Sequence, residues 1–438
     1  MYYSSVSAAS RRSLLSLRLV LWFALAAGFA ERLGWALTRR KPWTVGEAPD
    51  VAIALAQGRG FSDAFWVGQG PTAHVLPVAP TIAGAVYAVL GVRSFPAEMA
   101  LFGWSVACTF AAYALVALAF ARVGIPRRAC FWAFVWMCVV PIYTTNEAFE
   151  WRIWEGGLGL SVAGGALLLM LRAEDGKRPR GFALWLALLP ALTFFVNPLI
   201  GVATFAAWAL FVWRHRAGDG LVRPAVTALF ALALFLVPWT IRNEIALGHA
   251  IPLRDNLGME IAVGNHEGAV HPADIDRAFL DRLIAIQPFE HPGPQHAMVA
   301  AGGEVAYSKL LGRETVTWMR AHPDDVAILW TRHLGEMLFT RKWQFKTSHG
   351  QHLPLIRTSL MTITALLALV GMGLAARRRE ARYLYAAAYV WVPTLLYVPF
   401  QPVLRYTWLI YPALACLAAD AIARTYRHVR ARQSSSSS

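Results

Sequence analysis

Charge is scarce in this chain: Asp, Glu, Lys and Arg make up 15% of its 438 residues, against about 25% in soluble globular proteins. The apolar residues, 57% of the total, fall in separate runs of membrane-spanning length. A soluble fold would need many helices apolar on every face. Cysteine is rarer still. Cys108, Cys130, Cys138 and Cys416 all lie inside apolar runs and the polar loops hold none, which excludes a disulfide framework and leaves no Cys/His zinc spacing. No repeat of fixed period is visible. The glycines Gly156, Gly157, Gly159, Gly164 and Gly165 follow no strand and precede no Walker Lys-Ser/Thr, so they read as a helix-packing face rather than a phosphate loop.

Basic charge, by contrast, is in excess, with 41 Lys and Arg against 26 Asp and Glu. Its placement argues against nucleic acid, because it gathers in short connectors between apolar runs. Ten spans are expected: Leu14–Leu37, Ala97–Ala121, Ala129–Pro141, Leu158–Leu171, Phe182–Val196, Leu199–Trp213, Ala225–Ile241, Leu355–Ala376, Tyr383–Phe400 and Tyr406–Ala423. The first could instead be a signal peptide cleaved near Gly28-Phe29-Ala30, but the run continues too far past that point and an uncleaved span is expected. With both termini cytoplasmic, the inner connectors carry Arg122, Arg127 and Arg128, then Arg172, Lys177, Arg178 and Arg180, then Arg214, Arg216 and Arg223. Further inner charge comes from Arg377, Arg378, Arg379 and Arg382 and from the tail arginines. Arg39, Arg40 and Lys41 break the rule, a local misfit the rest of the chain overrides.

The run Val75–Leu90 holds Pro77 and Pro80. Were it a span, every later loop would change sides, so a re-entrant or interfacial helix in the first outer loop is expected. The fold class is thus an all-α polytopic membrane protein with a large outer loop of short helices. Four regions follow: residues 1–241 with outer loop 38–96, an extracytoplasmic segment 242–353, the last helices 354–423, and a disordered tail 424–438. The long loop holds nine of the 12 histidines, and amphipathic helices are expected near Val305–Arg320 and Val326–Leu338.

Glu47 and Asp50 stand three apart before a short helix in outer loop one, where both could face one side. Either could act as a general base on an attacking hydroxyl, or simply cap that helix. Arg405, at the outer end of the last span, is a functional candidate by position, or a residue snorkelling to the interface. Arg341 and Lys342 before Trp343 form a second basic candidate or an interfacial anchor. Arg242 and Arg254 either shape the loop around a site or pair with Glu244 and Asp255. Glu147, Glu150 and Glu155 surround Trp151 and Trp154; Glu155 could bind an acceptor or a metal, though a solvated turn is the plainer reading. The histidines lack a tight two-His-plus-carboxylate spacing.

The succession Glu47…Leu55-Ala-Gln-Gly-Arg-Gly-Phe-Ser62…Gly70-Pro-Thr-Ala…Pro77-Val-Ala-Pro80…Leu90-Gly91 resembles the first outer loop of bacterial GT-C type membrane glycosyltransferases. These are relatives of dolichyl-phosphate-mannose protein mannosyltransferases and aminoarabinose transferases. Trp154-Glu155, Pro238-Trp-Thr-Ile-Arg-Asn243…Arg254…Glu260…Gly264-Asn265 and Arg405-Tyr406…Tyr411-Pro412 are similar to later parts of the same pattern. The resemblance implies a sugar on a polyprenyl phosphate as donor, and a lipid, glycan or protein acceptor. It also implies a site on the outer face of the inner membrane, no required cofactor (a divalent metal being possible), and Glu47 as the base with Asp50 as partner. Such a leaving phosphate needs positive charge, so Arg405, Arg254 and Lys342, with His74 and Glu155, complete the expected substrate contacts. Two positions depart from the pattern: His74-Val75 replaces an aromatic-acidic pair, and Ala79 a tyrosine. An inactive relative, or a transporter of lipid-linked glycans, are the rival readings; a transporter should show mid-membrane charges and paired broken helices, which this chain lacks.

Overall fold

The computed structural model describes residues 8–38, 46–140, 147–215, 221–289, 291–345 and 353–436; the misfit cations Arg39, Arg40 and Lys41 lie outside them. In chain order, α1 (Ala8–Thr38) is followed by two short helices, α2 (Glu47–Ala56) and α3 (Val78–Leu90). Next come α4 (Phe95–Val123), α5 (Arg127–Val139), one turn α6 (Glu147–Glu150), α7 (Gly156–Glu174), α8 (Phe182–Val196), α9 (Pro198–His215) and α10 (Val222–Leu247). The long loop folds as α11 (Leu257–Gly264), α12 (Glu267–Val270), α13 (Ile275–Ile286), α14 (Pro292–Ala300), α15 (Glu304–Ala321) and α16 (Pro323–Leu338). The chain returns through α17 (Leu353–Arg377), α18 (Tyr383–Tyr397) and α19 (Leu404–Ser436).

Each of the ten expected spans coincides with a helix, and both amphipathic helices of the long loop are present as α15 and α16. Among the described residues six helices, α1, α4, α7, α10, α17 and α19, are long and apolar enough to cross a membrane. Helices α5, α8 and α18 have 13, 15 and 15 residues, roughly 20–22 Å at 1.5 Å each, short of a hydrocarbon core of about 30 Å. Local chemistry sets these ends. Asn197 precedes Pro198 and is extended (φ −143°, ψ 103°), as a residue before proline must be. The last carbonyls of α5 are capped from outside: buried Arg32 of α1 donates to Cys138 O at 2.8 Å and Met137 O at 3.3 Å while pairing with buried Glu147. Helix α4 starts on Ser94, whose hydroxyl accepts from Ala97 N. The tail, expected to be disordered from Arg424, continues as helix to Ser436. Arg424 anchors its root, donating to Asp420 at 2.7 Å and to both oxygens of Glu380 at 3.0 and 3.1 Å.

Of the five glycines expected to form a packing face on α7, Gly156, Gly157, Gly159 and Gly164 are closely packed, whereas Gly165 faces open space. A Cβ on Gly164 would meet Leu115 Cβ of α4 at 3.0 Å, one on Gly157 would meet Thr109 Oγ1 at 3.2 Å, and one on Gly159 would meet Asn197 at 3.0 Å. Helix α3 lies on α2 through Gly84, whose absent Cβ leaves room for Ala52 and Leu55.

The bundle has two chemically distinct ends. At one, the helix termini 122–127, 172–182, 214, 377–383 and 424 are tied by ions: Glu174 faces Arg214 and Arg382, and Asp175 faces Arg122 and Arg382. The other end gathers α2, α3, the start of α4, Trp151–Gly156, the 196–198 turn, the long-loop helices and the start of α19. The described parts of the expected inner and outer connectors therefore separate onto opposite ends of the bundle, with Arg216 lying outside the described residues.

Candidate functional site

Loop one is built around Asp63, which has a left-handed backbone (φ 61°) and pairs with Arg59. Its carboxylate accepts from Gly70 N at 3.0 Å and Gly68 N at 3.2 Å. The segment 69–73 is then clamped by the long loop. Glu304, at the first turn of α15, accepts from Gln69 Nε2 and Thr72 Oγ1 at 2.8 Å each and from Ala73 N at 2.6 Å. Arg242 donates to Thr72 O at 2.6 Å and to Phe61 O, so it shapes the loop rather than pairing with Glu244. Beside Glu304, both carboxylate oxygens of the half-buried Asp255 are shut off from solvent. Burial, with Glu304 adding to it, pushes its carboxyl up to about 9, leaving it protonated at neutral pH.

This clamp places Glu47 and His74 in the wall of a cavity of about 410 Å³. Glu47 is the first residue of α2 after Gly46, whose φ of 130° lies in the region favouring glycine. The Gly46 side has no side-chain cap, and Glu47 turns to the cavity, with His74 Nε2 4.0 Å from its carboxylate. That spacing is no hydrogen bond. His74 is buried, and burial, reinforced by Arg254 and Arg405, pushes its imidazole down to about 3, so it stands there neutral.

Across the cavity are Arg254, Glu260, Arg405 and Tyr406. The Arg405 guanidinium lies 4.9 Å from the Trp154 ring centre and 5.3 Å from that of Tyr406. Among the described residues no carboxylate oxygen comes within ion-pair distance of it. It points inward over aromatic faces rather than snorkelling outward. Arg254 pairs with Glu155, not with Asp255, and its Nε has no partner. Among the described residues Glu260 accepts only a 3.2 Å bond from Asn256; burial raises its carboxyl, partly offset by Arg405 and Arg254. The turn before Arg405 is held from the long loop. Gln401 donates to Glu336 of α16 at 3.0 Å, Gln344 donates to Pro402 O at 2.9 Å, and Asn265 donates to Pro399 O at 2.7 Å.

A second cavity of about 320 Å³ adjoins the first and shares Arg254, Glu260, Arg405 and Tyr406 with it. Its remaining wall is largely apolar, from Trp151, Leu199, Leu253, Leu257, Phe400 and Leu409, with Glu155 at the edge. Of the residues singled out in the sequence, Glu47, His74, Arg254 and Arg405 line the first cavity and Glu155 the second. Asp50 does not: three residues on from Glu47, it faces Arg93 at 3.3 Å. Lys342 is exposed, although its neighbours Trp343, Gln344 and Phe345 line the wall. The acidic turn is not solvated as its polarity suggested. Glu147 is buried on Arg32 and Glu155 on Arg254, each carboxylate holding its own cation. Sequence reasoning passed over Glu304 and gave Glu260 and Tyr406 no role; nothing in local spacing separates Glu304 from other helix-start acids.

Among the described residues no three His, Cys, Asp or Glu side chains gather as a metal's ligand set.

No protein-family model matches the sequence. No curated protein matches it either. Solved structures do. One is archaeal oligosaccharyltransferase AglB from Archaeoglobus fulgidus, in complex with an inhibitory peptide and a dolichol-phosphate. It has a TM-score of 0.53 at 12% identity over 95% of this chain and 51% of that one. Another is an Archaeoglobus fulgidus oligosaccharyltransferase in complex with Zn and sulfate, with a TM-score of 0.52 at 14% identity over 94% of this chain and 50% of that one. The chain spans about half the length of these enzymes. It shares their fold, so the resemblance to GT-C type membrane glycosyltransferases holds at the level of fold, in a multi-pass membrane protein.

Proposed function

We propose that the chain is a GT-C type glycosyltransferase moving a sugar from a polyprenyl-phosphate donor to an acceptor hydroxyl, on the outer face of a bacterial inner membrane. The observation that carries this reading is the pairing, in one cavity, of the loop-one carboxylate Glu47 with the cation Arg405, which has no ion-pair partner among the described residues. The dolichol-phosphate bound by the archaeal neighbour supports a lipid phosphate as ligand.

In this mechanism the donor phosphate lies against Arg405 and Arg254. The acceptor hydroxyl approaches from the Glu47 side. As its oxygen forms a bond to the anomeric carbon, its proton passes to Glu47. The bond from anomeric carbon to phosphate oxygen breaks and its electron pair leaves with the polyprenyl phosphate, whose added negative charge faces the two arginines. Neutral His74 adds no competing cation beside the base. Asp50 takes no part.

Donor binding tests the phosphate contact. Arg405→Ala should weaken binding of a polyprenyl-phosphate sugar by on the order of 10–100-fold, the worth of a charged hydrogen bond. Arg405→Lys, keeping charge but losing the fork, should lose less. Undiminished binding in both variants would leave Arg405 an aromatic-stacked anchor.

A further inference from the structure

At the end of the bundle away from the Arg405 cavities, a groove of about 480 Å³ opens between α4, α7 and α8. Its floor is one helical stripe of α7: Gly165, Leu168, Leu169 and Arg172, the i, i+3, i+4, i+7 positions of a single face. A Cβ on Gly165 would meet nothing within 4 Å, so open space lies over α7 where it has no side chain. Leu115 of α4 and Leu189 of α8 supply the walls. Trp185, 48% exposed, stands at the rim.

The rim is strongly basic. Arg172, Lys177 and Arg178 all line the groove. Two acids stand in the same connector, Glu174 and Asp175, but their carboxylates are engaged by Arg122, Arg214 and Arg382. Among the described residues Arg172, Lys177 and Arg178 therefore have no acidic partner; only Arg178 finds a neighbour, the Phe182 ring at 5.5 Å. An apolar trough ending in three uncompensated cations and an interfacial tryptophan matches the two ends of one molecule type, an acyl chain and an anionic headgroup.

We propose that this groove binds one anionic glycerophospholipid, its acyl chain over Gly165 and its phosphate held by Arg172, Lys177 and Arg178. The site is separate from the transfer site and independent of the activity proposed above. A phosphate without an apolar chain would leave the leucine trough uncovered, and a zwitterionic lipid would leave the cations uncompensated.

The test is native mass spectrometry of the full chain in detergent, given phosphatidylglycerol, phosphatidylcholine or polyprenyl phosphate at equal concentration. Wild type should retain one phosphatidylglycerol in preference to phosphatidylcholine, and any polyprenyl phosphate held at the Arg405 site should be unaffected by changes in the groove. Each basic side chain at an anionic headgroup is worth roughly fivefold in affinity, so Arg172→Ala/Lys177→Ala/Arg178→Ala should bind it about a hundredfold more weakly. Phosphatidylcholine binding should not change. Gly165→Leu fills the trough, leaves every charge in place and should also lose the lipid, with an unaltered melting temperature showing that the fold survives. The proposal is overturned if the triple variant or Gly165→Leu holds phosphatidylglycerol as wild type does. Preference for phosphatidylcholine would overturn it equally, and so would polyprenyl phosphate being the lipid that the triple variant and Gly165→Leu lose.

Discussion

Glu47 and Asp50 show what a single residue's surroundings decide. Both are acidic, both lie in the first turn of α2, and spacing alone makes them equivalent. Only Glu47 reaches the cavity, because Arg93 draws Asp50 the other way. Asp255 is the opposite case, an unremarkable acid in sequence that folding buries beside Glu304. Its carboxyl is raised from an ordinary value near 3.8 to about 9. Between those values the folded chain holds a proton the unfolded chain has released, so this group's contribution is fully present below about 4 and is lost as pH rises through about 9. Asp255→Asn should therefore raise the melting temperature more at pH 8 than at pH 5. An equal change at both pH values would show that Asp255 is charged in the fold. His74 acts in the other direction. Lowered to about 3, it stabilises above its unfolded value near 6.5 and loses that contribution as pH falls toward 3; being common to wild type and Asp255→Asn, it cancels between them.

At the scale of elements, the apolar runs were legible because each helix is written continuously, and α15 and α16 because their periodicity is strong. Lengths were not. The ends of α5 and α8 depend on Arg32, distant in sequence, and on one proline, and three of the ten helices stop well short of the bilayer thickness. The site was legible only in its ends, Glu47 and Arg405. What joins them, Glu304 on residues 69–73 and Glu336 with Gln401 on the turn before Arg405, consists of contacts across more than sixty residues, which no local pattern records. The alternation of connectors yields a prediction. A reporter fused at Gly268 should read outside and one at Arg378 inside, since these positions sit at opposite ends of the bundle. An outward signal at Arg378 with an inward one at Gly268 would invert the orientation.

For the molecule as a whole, the long loop serves as half of the site rather than as a connector. It clamps loop one from one side and the start of α19 from the other, so Glu47 and Arg405, some 360 residues apart in sequence, face one cavity. The account rests on the claim that this cavity transfers sugar with Glu47 as base. Single-turnover transfer from a polyprenyl-phosphate sugar by purified wild-type, Glu47→Gln and Asp50→Asn proteins tests it most directly. Glutamine keeps the shape and hydrogen bonding of Glu47 but cannot take the proton, so Glu47→Gln should be slower by about 10²–10⁴-fold with donor affinity preserved. Asp50→Asn, which changes a carboxylate facing Arg93 rather than the cavity, should turn over like wild type. A wild-type rate in Glu47→Gln would contradict the account and remove the transfer site from loop one.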